Sequence, residues 1–132
     1  MNWEVLYKTT TAGIGAIFGY FFGGWTVLLQ VLLALVIVDY LTGLLASAVE
    51  GKLSSRIGYR GIAKKLMIFC LVAVGHLVDK AIGDGSAVQN AIIFFYLGNE
   101  LLSIIENAGR SGLPVPKQLQ NAVEILKKGA DE

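Results

Sequence analysis

Asp39, Thr42, Gly43, Ala46, Ser47 and Glu50 recur at offsets of three, four, seven, eight and eleven, which is one face of a helix. Tyr96, Asn99, Glu100, Ser103, Glu106 and Asn107 make a second polar stripe, and His76, Asp79 and Lys80 cluster further along the chain. These types can pair across helices, hold or pass a proton, or line water. Their setting makes that chemistry costly. Thr9 to Val38 is a run of thirty residues with no charged side chain. An ionisable group left facing hydrocarbon costs roughly 2.5–3.5 kcal/mol on insertion scales, so each stripe is expected to turn towards other helices or water.

Depth can be counted along the chain. Asp39 lies eleven residues from Glu50, His76 eleven from Lys65, and Glu100 ten from Arg110. At about 1.5 Å per residue the three are predicted to share one polar layer near mid-membrane. A protonated acid, or His76 as a cation between two acids, would make that layer tolerable. The alternative is that each group satisfies its own neighbour, with Glu106 and Asn107 at the interface.

Four apolar segments must position these residues: about 9–22, 25–49, 62–81 and 87–107. The chain is 55% hydrophobic and 16% charged, more apolar than a soluble core requires. Helix is the state that satisfies backbone groups in lipid. The expected architecture is all-α and integral to a membrane. About four transmembrane helices in hairpins form one domain over 1–112, followed by a tail over 113–132. Gly23-Gly24 and Gly83-Asp84-Gly85-Ser86 mark the reversals. The first segment is short for a span. It could also be re-entrant or lie in the interface, and the glycine pair could kink one long helix; the hairpin is the favoured arrangement.

Lys52, Arg56, Arg60, Lys64 and Lys65 fall between the second and third segments, and Arg110, Lys117, Lys127 and Lys128 follow the fourth. Basic loops stay cytoplasmic, so four spans put both termini inside. Gly-Tyr-Arg-Gly at 58–61 reads as a loop motif. Gly15, Gly19 and Gly23 line one face of the first segment and suit close helix packing, as do Gly43, Ser47 and Gly51. In the tail Leu119, Ala122, Val123 and Leu126 predict a short amphipathic cytoplasmic helix beginning near Pro116.

Enzyme signatures are missing. One histidine and one cysteine cannot build a His/Cys metal cluster, and no phosphate-binding glycine loop or nucleophile elbow occurs. No cofactor is expected. Cys70, in an apolar run, reads as a lipid-facing or packing residue. A net charge of +1 gives no reason to expect a nucleic-acid partner, and the basic loop suits topology and anionic lipid. The stretch before Ala46-Ser47-Ala48 is too long for a cleaved signal peptide.

Five short motifs occur in order: Asp39-Tyr40-Leu41-Thr42-Gly43, Gly51-Lys52-Leu53-Ser54-Ser55, Gly61-Ile62-Ala63-Lys64-Lys65, Asn99-Glu100 with Ser103 and Glu106-Asn107, and Gly112-Leu113-Pro114-Val115-Pro116. Together, from about Val38 to Leu126, they resemble the phage holin family that includes clostridial toxin-secretion holins. The resemblance implies a small protein of the bacterial cytoplasmic membrane that oligomerises and opens a lesion. A murein hydrolase (endolysin) or toxin then escapes, leading to lysis. Rival readings are a compact four-helix proton-coupled transporter or ion channel, with Asp39 or Glu100 as its site, and a membrane-anchoring subunit.

Overall fold

A computed structural model describes residues 2–83 and 85–131 as five helices: α1 Trp3–Phe22, α2 Val27–Val49, α3 Ser55–Ile82, α4 Ala87–Arg110 and α5 Lys117–Asp131. Asp84, expected in the third-to-fourth turn, and the Lys127 side chain lie outside the described residues. No strand occurs among those described. Three helices, α2, α3 and α4, are long and apolar enough to cross a membrane; α1 does not reach that apolarity. The expected count of about four spans is therefore supported for three.

Local chemistry sets the helix ends. Thr26 Oγ1 accepts from the Leu29 amide at 3.3 Å to start α2, and Ser54 Oγ accepts from Ile57 at 3.2 Å to start α3. Gly23 and Gly83 close α1 and α3 in the left-handed conformation, with φ of 78° and 68°. Gly23 has a second constraint: a Cβ there would sit 2.5 Å from the His76 ring.

The early start of α3 corrects two expectations. Arg56, Arg60, Lys64 and Lys65 ride on helix, and only Lys52 of the basic set lies in the loop. Gly58-Tyr59-Arg60-Gly61 is likewise helical. Its two glycines receive the Tyr40 ring: a Cβ on Gly61 would meet Tyr40 Cε2 at 3.1 Å, and the Tyr40 hydroxyl donates to the Gly58 carbonyl at 3.3 Å.

The three long helices meet along seams spaced three and four residues apart. Leu29, Leu32, Val36 and Asp39 mark α2; Lys65, Ile68, Val72, Gly75 and Asp79 mark α3; Ile93, Tyr96, Glu100, Ser103 and Asn107 mark α4. Apolar members occupy the middle, where Leu29, Leu32, Val36, Ile68, Val72, Ile93 and Leu97 form the core. The charged positions thus continue the same inward-facing rows. Outside, Ile37, Leu41, Leu45, Leu66, Met67 and Phe95 are exposed, an arrangement suited to lipid as the surrounding solvent.

α1 buries no residue. Its last turns rest on the bundle: Phe18 and Phe22 pack on the core, Lys80 sits 4.4 Å over the Tyr20 ring, and Gln89 Nε2 donates to the Phe22 carbonyl at 2.8 Å. Past the proline loop, α5 turns back along α4, burying Val123 and resting Leu126 on the core.

Candidate functional site

Asp39, Lys65 and Glu100 meet inside the bundle. Asp39 lies ten residues before Val49, Glu100 ten before Arg110, and Lys65 ten after Ser55, so each projects from the same level, roughly 15 Å from the bundle's loop end. Asp39 and Glu100 are 3% and 4% exposed. The Lys65 ammonium donates to Asp39 Oδ2 and to both Glu100 oxygens, at 2.8 and 3.1 Å. One cation therefore bridges two carboxylates drawn from neighbouring helices.

Asn107 completes the network. Its Nδ2 donates to Asp39 Oδ1 at 2.9 Å, to the Asp39 carbonyl at 3.2 Å and to Thr42 Oγ1 at 3.0 Å. Gly43 lies directly beneath it: a Cβ there would touch that nitrogen at an ordinary 3.5 Å. Further out, Arg110 donates to Glu50 at 2.5 and 2.9 Å and to Ser47 Oγ at 3.4 Å. Hydrogen bonding to Arg110 holds the Glu50 carboxyl below its ordinary value. The α2 and α4 stripes thus face each other, and every buried side-chain polar atom among the described residues has a partner.

A cavity of about 370 Å³ opens beside this network at the loop end, with Asp39, Ser47, Arg60, Lys64, Ser103 and Arg110 in its wall. Asn99 lines a smaller recess with Lys64 and Glu100, and Glu106 is exposed, outside the network.

His76 does not join Asp39 and Glu100. Counting its depth from Lys65 took that lysine as the membrane boundary, whereas α3 begins at Ser55. His76 is twenty-one residues along the helix, roughly 31 Å from its start, and packs against Gly23 at the opposite end. The cation between the acids is Lys65. Its position was legible: Ser54 is a ready N-cap, and Lys65 is four residues after Gly61 and three before Ile68 on the α3 seam.

Asp79 has a structural task. It is 1% exposed, and its two oxygens accept from the Val88 and Gln89 amides, both at 2.9 Å. Those amides open α4, whose N-cap Ser86 makes no side-chain cap bond. At Gly15 and Gly19 an added Cβ would meet nothing within 4 Å, so neither packs against the rest of its own chain. The close helix approach falls instead at Gly75, which sequence reading missed; a Cβ there would lie 2.7 Å from Ile92 Cδ1 and 3.1 Å from Gln89 Cα. Among the described residues no group of three His, Cys, Asp or Glu side chains is placed to hold a metal ion.

Comparison with known proteins finds relatives of the chain as a whole. The bacteriophage holin family model matches residues 16–128. The uncharacterized protein Lmo0128 of Listeria monocytogenes is 48% identical, the match covering 98% of this chain and 94% of the relative. An uncharacterized protein of Halalkalibacterium halodurans is 47% identical, covering 94% and 96%. An uncharacterized 14.9 kDa protein of Clostridium perfringens is 36% identical, covering 90% and 91%. No solved structure matches.

Proposed function

Because the chain belongs to the bacteriophage holin family, we propose that it assembles with its own copies in the bacterial cytoplasmic membrane and opens a lesion. Through that lesion a cell-wall-degrading endolysin, or a toxin, leaves the cytoplasm, and lysis follows. The carrying observation is the family match over residues 16–128; three long apolar helices with ionisable side chains turned inward support it. Membership also points to a non-enzymatic membrane protein.

In this reading α1 is a fourth span. Its twenty residues reach roughly 30 Å, enough to cross hydrocarbon, and Glu4 and Lys8 near its start pair at 2.7 Å. Residues 1–112 are then the membrane domain, 113–132 a cytoplasmic tail, and both termini sit inside, held by Lys52, Arg56, Arg60, Lys64 and Lys65. The open face of Gly15 and Gly19 serves contact between copies. On assembly the facing α2 and α4 stripes exchange partners within one chain for neighbours or water, a shift between two packings of the same helices.

The test is induction in bacteria with and without a cytoplasmic murein hydrolase, following viability and lysis. Lysis that needs both proteins supports the reading. Gly19→Leu should abolish it while leaving monomer folding intact, and undiminished lysis by that variant removes α1 from the contact. The bridged acids beside an open cavity favour a second reading, a proton-coupled transporter or channel. Such a protein would move a small solute and release no hydrolase.

A further inference from the structure

Two hollows lie side by side along the bundle. The first is the polar cavity described above. The second, about 280 Å³, runs between α2 and α3 and is walled by Leu33, Ile37, Leu41, Ile62, Leu66 and Phe69. Tyr40 and Lys65 line both, so the two lie next to each other with these side chains at their boundary. Along α2 the polar hollow covers Asp39 to Ser47, and the apolar one continues from Leu41 to Leu33. Those eight residues rise roughly 12 Å, close to one leaflet's share of a hydrocarbon core of about 30 Å.

Charge identifies what fits. Four cations stand in the polar wall: Arg60, Lys64, Lys65 and Arg110. Lys65 is engaged by Asp39 and Glu100, and Arg110 by Glu50. Among the described residues Arg60 and Lys64 have no carboxylate within ion-pair distance, and the only carboxylate in the wall, Asp39, is covered by Lys65 and Asn107. The hollow is therefore net positive, with the Ser47 and Ser103 hydroxyls beside it, and an apolar groove of leaflet depth adjoins it.

We propose that this is a binding site for one anionic phospholipid, its phosphate between Arg60 and Lys64 and an acyl chain in the groove between α2 and α3. Tyr40 stands at the junction, braced by Gly58 and Gly61. The bound lipid fills the gap between two helices that otherwise touch sparingly. The site requires membrane insertion and not lesion formation, so its test is independent of lysis.

The full chain is purified in neutral detergent and titrated with phosphatidylglycerol or with phosphatidylcholine of the same chains. Retained lipid is read by native mass spectrometry and stability by thermal unfolding. Phosphatidylglycerol should bind preferentially and raise Tm. Arg60→Gln and Lys64→Gln should each weaken that preference about fivefold, as expected for one basic side chain near an anionic headgroup, while Arg60→Lys and Lys64→Arg keep it. Leu66→Trp, which fills the groove from the lipid side, should weaken both lipids together, with circular dichroism checking its helix content. Wild-type preference in the Gln variants overturns the headgroup site, and undiminished binding by a folded Leu66→Trp overturns the groove. If glycerol phosphate competes as well as the intact lipid, the cavity is a soluble-phosphate site and the proposal fails.

Discussion

Replacing Lys65 by Met strips the shared counter-ion from Asp39 and Glu100 while keeping most of the side chain's length. The two carboxylates are 3% and 4% exposed, so water cannot take the place of the ammonium. Asp39 keeps the Asn107 amide at 2.9 Å; Glu100 keeps no side-chain partner among the described residues. Removing one member of a buried pair costs about 3–5 kcal/mol, and the low end applies because the Lys65 side chain is still 20% exposed. Adding Glu100→Gln to the Met variant removes the surplus acid and should return about half of the loss, since the two changes share one network. The assay is reversible unfolding in mixed micelles followed by circular dichroism. A Lys65→Met protein as stable as wild type, or a double variant no better than the single, would refute a bridged pair of acids.

Other expectations concern single contacts. Asp79→Ala leaves the Val88 and Gln89 amides without acceptors and should cost about 1–2 kcal/mol, read in the same unfolding assay, with exchange protection lost first at the start of α4. Gly75→Val drives a side chain into Ile92 and the Gln89 backbone and should destabilise by about 1–3 kcal/mol, whereas Gly15→Val meets open space and should change little. Glu50 carries a pH signature. Its folded value lies below the ordinary 4.5, so the Arg110 pairing stabilises above that value and is lost as pH falls through the lower, folded one. Stability measured across that acid range should slope in wild type and slope less steeply in Glu50→Gln.

Helical periodicity made the polar stripes legible, because Asp39, Thr42, Gly43 and Ser47 can share a face only as a helix. Their common depth with Glu100 followed from counting inward from the charged ends. Lys65 escaped because basic residues were taken to mark the end of a span. Helix α3 instead carries its cations well past its Ser54 cap, and the long lysine stem reaches sideways to the acids. His76 was misplaced by the same error of origin. The seat of Tyr40 on Gly58 and Gly61, and the approach at Gly75, depend on which helices become neighbours. No local pattern states that, since a glycine inside an apolar run looks alike whether it meets a partner or open space.

The way α5 doubles back gives the molecule a handed exterior. Val123 and Leu126 turn inward, while Gln118, Gln120, Asn121 and Glu124 point away from α4. The loop end of the bundle thus wears a mainly polar patch on one flank, interrupted by the exposed Leu119 and Ile125. A neighbouring molecule would meet different chemistry on that flank than on the purely apolar ones.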